Sequence, residues 1–155
     1  EIIGYGNTTD AFHQTRPGAE GEARAIRSAM EEGGLLPKDV DYINAHGTST
    51  PLGDKAETEA IKLALGKRAY EIPISSVKSM TGHMLAASGA FESAVTLMGI
   101  REGIIPATIN LKTKDPECDL NYITETMKSD INTAISNSFG FGGVNAVLVF
   151  RRVRR

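Results

Sequence analysis

This sequence of 155 residues has one cysteine, no surplus of basic charge, and no apolar run near the roughly 20 residues that cross a bilayer. Each shortage removes a class of protein. Cys118 alone cannot build an internal disulfide framework, and its isolation fits a reducing compartment, so a cytoplasmic location is expected. The missing apolar run leaves no candidate span, and no membrane partner is expected. A formal net charge of -2 argues against a nucleic-acid surface. The one basic cluster, Arg151-Arg152-Val153-Arg154-Arg155, reads as a solvated tail. Metal ligands are as sparse: His13, His46 and His83 lie far apart and match no zinc spacing, so no metal is expected. Nucleophiles are missing too. There is no Gly-x-Ser-x-Gly elbow, and Cys118 sits in Asp115-Pro116-Glu117-Cys118-Asp119, where neighbouring carboxylates disfavour the thiolate. The opening Glu1-Ile2-Ile3-Gly4-Tyr5 resembles no targeting peptide and reads as a strand entered from within a longer chain.

What is present is ordinary globular material. Hydrophobic residues make up 41% and charged ones 23%, enough to bury one real core, and residues 1–155 read as one domain. From Glu20 to Glu32, Ala23, Ile26, Ala29 and Met30 recur at helical spacing, with Gly33-Gly34 as the stop. A second helix is expected from Asp54 as N-cap to Gly66, and a third after His83, ending at Gly103. Small residues from Ala86 to Ala90 predict close packing of that third helix against a neighbour. Strand candidates are 1–5, 40–44, 72–77, 134–139 and 146–151, with short or irregular strands over 104–111 and 120–123. Strands alternating with helices predict an α/β architecture with helices covering a sheet.

Three segments are unusual for a plain core. In Asn44-Ala45-His46-Gly47-Thr48-Ser49-Thr50 a histidine ends an apolar strand, where α/β folds place ligands; a satisfied histidine before a hydroxyl-rich turn explains it equally well. In Lys78-Ser79-Met80-Thr81-Gly82-His83 a lysine ending a strand stands five residues from a histidine. A cation there would keep an imidazole neutral, able to donate a hydrogen bond to a developing oxyanion; a snorkelling lysine beside a helix-terminal histidine is the plainer reading. Asn137-Ser138-Phe139-Gly140-Phe141-Gly142-Gly143-Val144-Asn145 is either an amide-presenting loop or a glycine hairpin.

Together the three segments, in this order and spacing, resemble the β-ketoacyl-acyl-carrier-protein synthases of the elongation type, and the resemblance runs from Glu1 to Phe150. It implies the C-terminal half of a thiolase-like αβαβα layered sandwich, from an acyltransferase of fatty-acid synthesis that joins acyl thioesters to malonyl-acyl-carrier-protein by decarboxylative Claisen condensation. By resemblance His46 and His83 are the donors to the malonyl thioester oxygen, and Lys78 fixes and polarises the site through Glu57. Thr48 and Thr50 hold the pantetheine arm. Phe141 is the gate, whose N–H forms half of an oxyanion hole. Thr15, in a second loop over 10–15, and Phe139 touch substrate at the acyl pocket. No cofactor is implied; the partners are acyl carrier protein and a second copy in a homodimer. The family's nucleophilic cysteine lies upstream of this segment and Cys118 does not match it, so this half alone should be inactive. Readings left standing are a polyketide ketosynthase, a non-catalytic partner of the chain-length-factor kind, and an unrelated α/β binding module.

Overall fold

The computed structural model describes residues 1–11 and 13–153, so Arg154 and Arg155 of the basic cluster lie outside the described residues. Strand β1 (Ile2–Thr9) leads to helix α1 (Ala19–Glu32), then β2 (Tyr42–Asn44), α2 (Pro51–Leu65) and β3 (Ile74–Ser75). A one-turn helix α3 (Lys78–Thr81) precedes α4 (Ser88–Glu102). The chain continues through β4 (Ile104–Ile105), β5 (Met127–Lys128), β6 (Thr133–Gly140) and β7 (Val144–Arg151). Five strands form one mixed sheet in the order β1-β7-β6-β2-β3, parallel from β6 to β3 and antiparallel from β1 to β6, while β4 and β5 pair separately.

Alternation along the strands divides the core. The rung Ile43, Ile135 and Val149 faces α1 and α2, where it meets Ile26, Ala29, Ala60 and Ile61. The next rung, Tyr42, Ala134 and Phe150, faces the other side and packs with Ile100 of α4, Ile105 and Ile131. Because side chains point to opposite faces with period two, a sheet covered on both sides reads as a continuous apolar run, as 146–150 does. Helix α1 lies against the backbone of β1. A Cβ on Gly4 or Gly6 would come within 2.0 Å of the carbonyl oxygens of Ala29 and Ala25, so only glycine permits this approach.

Several boundaries move. Strand β1 runs on to Thr9 because it is an edge strand whose outer positions tolerate Asn7 and Thr9. Helix α2 starts at Pro51, three residues before the expected cap; proline suits a first helical position, and Asp54 instead accepts the Ser49 N–H at 3.0 Å. Lys78 opens α3 rather than ending a strand. The basic cluster is only partly a tail: Arg151 closes β7, and Arg152 pairs with Asp130 at 2.6 Å and donates to the Ile100 carbonyl at 3.0 Å. Close packing by the small residues is met at Gly89, whose Cβ would touch Ser138 Oγ at 3.3 Å, but Ala86, Ala87 and Ala90 are exposed. So are Phe91, Leu97 and Met98, leaving α4 with an uncovered apolar face. Among the described residues no helix is long and apolar enough to cross a membrane.

Candidate active site

Both expected histidine segments leave the C-terminal ends of the parallel strands β2 and β3, the edge where open α/β sheets gather ligands. They meet there. The rings of His46 and His83 lie 5.4 Å apart, edge to face at 83°, and Phe139 stands 6.0 Å from His46. His46 is half-buried and its Nδ1 finds no hydrogen-bond partner among the described residues, so packing orients the ring. Burial first, then the Lys78 ammonium and His83, lower its pKa from 6.5 to about 3, which keeps the imidazole neutral at physiological pH. The cationic effect expected for the lysine segment therefore reaches the more distant histidine in sequence.

Glu57 explains why His46 sits where it does. Only 4% exposed, its carboxylate accepts the N–H of His46 at 2.8 Å, the N–H of Gly47 at 2.7 Å and Asn137 Nδ2 at 3.0 Å. Burial raises its pKa against the pull of those donors. Glu57 thus clamps the turn after β2 to β6, and it is neither an exposed helical carboxylate nor the ion-pair partner of Lys78. That partner is Glu92, on the first turns of α4. The correction follows from α3, which turns the lysine toward α4; both heads are almost fully buried, and burial raises the Glu92 pKa while Lys78 opposes the rise. Sequence reading missed Glu92, although a carboxylate within the otherwise uncharged stretch from Ser88 to Ile100 was a signal.

His83 is exposed, with its Nδ1 accepting the Leu85 N–H at 3.0 Å and lying 3.1 Å from Ser88 Oγ. A neutral ring whose Nδ1 accepts carries its proton on Nε2, so the free edge of His83 is a donor. Ser88 is itself held by the Met84 N–H at 2.9 Å.

The pair opens into a cavity of about 530 Å³ that also takes in Thr15, Thr48, Thr50, Phe139, Phe141 and Glu22. The Thr48 and Thr50 hydroxyls lie 3.1 Å apart. Phe141, 83% exposed, stands at the head of the turn between β6 and β7, where Gly142 and Gly143 take positive φ values of 77° and 73°. That turn is stitched to the 10–15 segment: Gly142 N–H donates to the Gln14 carbonyl, Asp10 N–H to the Gly143 carbonyl, and Asn145 Nδ2 to Asp10 Oδ1, each at 2.8 Å. Phe12, inside that loop, is outside the described residues. His13 stays apart, its Nδ1 accepting the N–H groups of Thr15 and Arg16. Cys118 is half-buried on a neighbouring cavity that Lys78 and His83 also line; burial first, opposed by a Thr58 hydrogen bond and aided by Asp115 and Asp54, raises its pKa, which suits a structural thiol. Among the described residues no cluster of three or more potential metal ligands occurs.

Comparison with known proteins places this arrangement. The family described as beta-ketoacyl synthase, C-terminal domain, matches residues 1–112. The 3-oxoacyl-[acyl-carrier-protein] synthase 2 of Staphylococcus aureus is 51% identical over 155 residues, which cover 98% of this chain and 37% of the relative. A beta-ketoacyl synthase from Burkholderia phymatum superposes with a TM-score of 0.93 at 43% identity, covering 99% of this chain and 37% of that one. A type II polyketide ketosynthase, solved in complex with its acyl-carrier protein, gives a TM-score of 0.95 at 42% identity over 98% of this chain and 38% of its own. The chain thus spans somewhat over a third of the length of the relatives it matches, and its layers are those of the C-terminal ketosynthase half of the thiolase fold.

Proposed function

This chain belongs to the beta-ketoacyl synthase family, and on that premise we propose that it is the histidine-bearing half of a 3-oxoacyl-acyl-carrier-protein synthase of fatty-acid elongation. Residues 1–155 form one domain of that longer enzyme, whose other half carries the nucleophilic cysteine. The observation that supports this best is the pair of imidazoles 5.4 Å apart, one held neutral by burial and a nearby lysine, the other with its Nε2–H free to donate. Decarboxylation of a malonyl thioester moves negative charge onto the thioester oxygen, and donors already in place lower that barrier without reorganising. His46 and His83 are those donors. The carbanion then attacks the acyl thioester on the upstream cysteine; a C–C bond forms, the C–S bond breaks and the thiolate leaves.

The other residues take supporting parts. Burial first, then the Lys78 ammonium, which is ion-paired with Glu92, keep His46 uncharged, and Glu57 positions His46 through its backbone. Thr48 and Thr50 offer hydroxyls to the pantetheine arm, while Phe139 and Thr15 border the acyl group. Phe141 presents its N–H to the oxyanion and its ring as a gate. The exposed apolar face of α4 packs against the cysteine-bearing half. Acyl carrier protein delivers both substrates; the enzyme works as a homodimer in the cytoplasm, and it needs no cofactor because loss of carbon dioxide drives the condensation. The curated relative at 51% identity is a 3-oxoacyl-[acyl-carrier-protein] synthase 2, which favours fatty-acid over polyketide synthesis. A non-catalytic partner would have no use for two imidazoles packed edge to face beside a buried lysine.

The test is condensation by the full-length chain with acyl- and malonyl-carrier protein, before and after alkylation. Formation of 3-oxoacyl product that alkylation of an upstream cysteine abolishes supports the assignment. No product, with no decarboxylation, leaves a binding half.

A further inference from the structure

The cavity that opens from the histidine pair is lined by a carboxyl group to which no step has yet given a part. Glu22 stands in the first turn of α1, is 1% exposed, and lines this cavity together with His46, His83, Phe139 and Phe141. Its Oε2 has no hydrogen-bond partner among the described residues. Two other carboxyls face it. Glu57 is committed to the N–H groups of His46 and Gly47 and to Asn137, and Asp10 accepts from Asn145 Nδ2 and the Gly18 N–H. A third carboxylate set between them, out of water and without a donor of its own, is disfavoured, so the proton stays on Glu22. Burial first, then Glu57 and Asp10, push its pKa up to about 9. At physiological pH Glu22 therefore offers the cavity an O–H donor.

A buried polar group without a partner is a persistent cost, and the usual resolution is a partner supplied by a ligand or a water. The substrates bring one polar group that still needs a donor. His46 and His83 take the malonyl thioester oxygen, Thr48 and Thr50 take the amide-bearing arm, and a saturated acyl chain asks only for apolar contact. The malonyl carboxylate is separated from its thioester carbonyl by a single methylene, so it enters the same cavity as the two imidazoles. We propose that Glu22 is a specificity-determining residue whose O–H donates a hydrogen bond to the malonyl carboxylate, which marks malonyl apart from acyl thioesters. This role rests on the condensing-enzyme reading above. Hydrogen bonds from an acid O–H to a carboxylate are short and charge-assisted. No proton moves: as the C–C bond breaks, its electron pair enters the enolate held by the histidines, carbon dioxide leaves uncharged, and the O–H is released. The contact thus acts on binding of the malonyl group more than on the chemical step.

The experiment follows condensation by the full-length enzyme as malonyl-carrier protein is varied at saturating acyl-carrier protein, and separately the loading of the enzyme by acyl-carrier protein alone. Glu22→Leu raises KM for malonyl-carrier protein by about tenfold or more and changes kcat and acyl loading far less. Glu22→Gln, which keeps an N–H donor, retains most of the affinity. In the wild type the malonyl KM also rises toward pH 9, as Glu22 ionises and repels the carboxylate. Glu22→Gln loses that rise, although Asp10 and Glu57 still face the position and His46 and His83 still line the cavity. If the leucine variant does not fold, the pH comparison of wild type with Glu22→Gln decides by itself. An unchanged malonyl KM in Glu22→Leu, acyl loading slowed in equal measure, a wild-type KM flat through pH 9, or a rise that survives in Glu22→Gln overturns the proposal. A wild type that neither takes up an acyl group nor condenses overturns the condensing-enzyme reading itself.

Discussion

The two histidines stand on unlike foundations. His46 leaves a central strand, is clamped through its backbone by Glu57, and is half-buried within this chain. His83 sits on a short turn, exposed, held by Leu85 and Ser88 next to the uncovered face of α4. One wall of the site is packed within this chain, and the other adjoins apolar residues that α4 leaves uncovered. The difference shows how a half-site can preserve its electrostatics while leaving its access open.

Substitutions break or sharpen that contrast, the first with the largest effect. In the full-length chain His46→Ala removes a preorganised donor, and malonyl decarboxylation should fall by about two to three orders of magnitude; a fall under tenfold would reassign the oxyanion to other donors. Glu92→Ala strands Lys78 in the core and should lower stability by about 3–5 kcal/mol in denaturant titration, whereas a loss near zero would mean water reaches the ammonium. Met98, 56% exposed here, probes the uncovered wall. Met98→Glu should cost the full-length protein about 1–3 kcal/mol by burying an unpaired carboxyl, and no cost would mean that α4 faces solvent. Ser88→Ala should be the mildest, about 1 kcal/mol or less in stability, with a few-fold slower decarboxylation through a less well-held His83.

Acid and alkali should separate two groups of the packed wall. His46 has a folded pKa of about 3 against an ordinary 6.5, so its contribution to stability is full above 6.5 and is lost as pH falls toward 3. Glu22 works in reverse: with a folded value of about 9 against 4.5, its contribution is full below 4.5 and is lost as pH rises toward 9. Urea midpoints measured across pH should therefore lose their acid-side slope in His46→Gln and their alkaline-side slope in Glu22→Gln. A slope that survives its substitution reassigns that limb to another group.

Much of this was readable in order along the chain. Periodicity located α1 to within one residue, the glycines at 33 and 103 marked helix ends, and the apolar runs gave β6 and β7, because these signals act over a few residues. The three site segments were legible by residue type and spacing. Strand β5 was not, since two exposed residues carry no pattern and are a strand only because β4 lies beside them. The start of α2 was misjudged because a proline that opens a helix and an aspartate that caps one look alike before the backbone is known.

What the sequence determined by itself was therefore the inventory: an α/β chain with two histidines, a lysine and a glycine turn in three segments set between its strands and helices. What the tertiary structure alone decided was the pairing. Lys78 chose Glu92 over Glu57, Glu57 reached 80 residues along the chain to Asn137, and Glu22 came to face the cavity. Local preference acts through neighbours in sequence, but a buried charge is settled by whichever partner the packing of sheet and helices brings within reach, and burial makes that choice costly to undo.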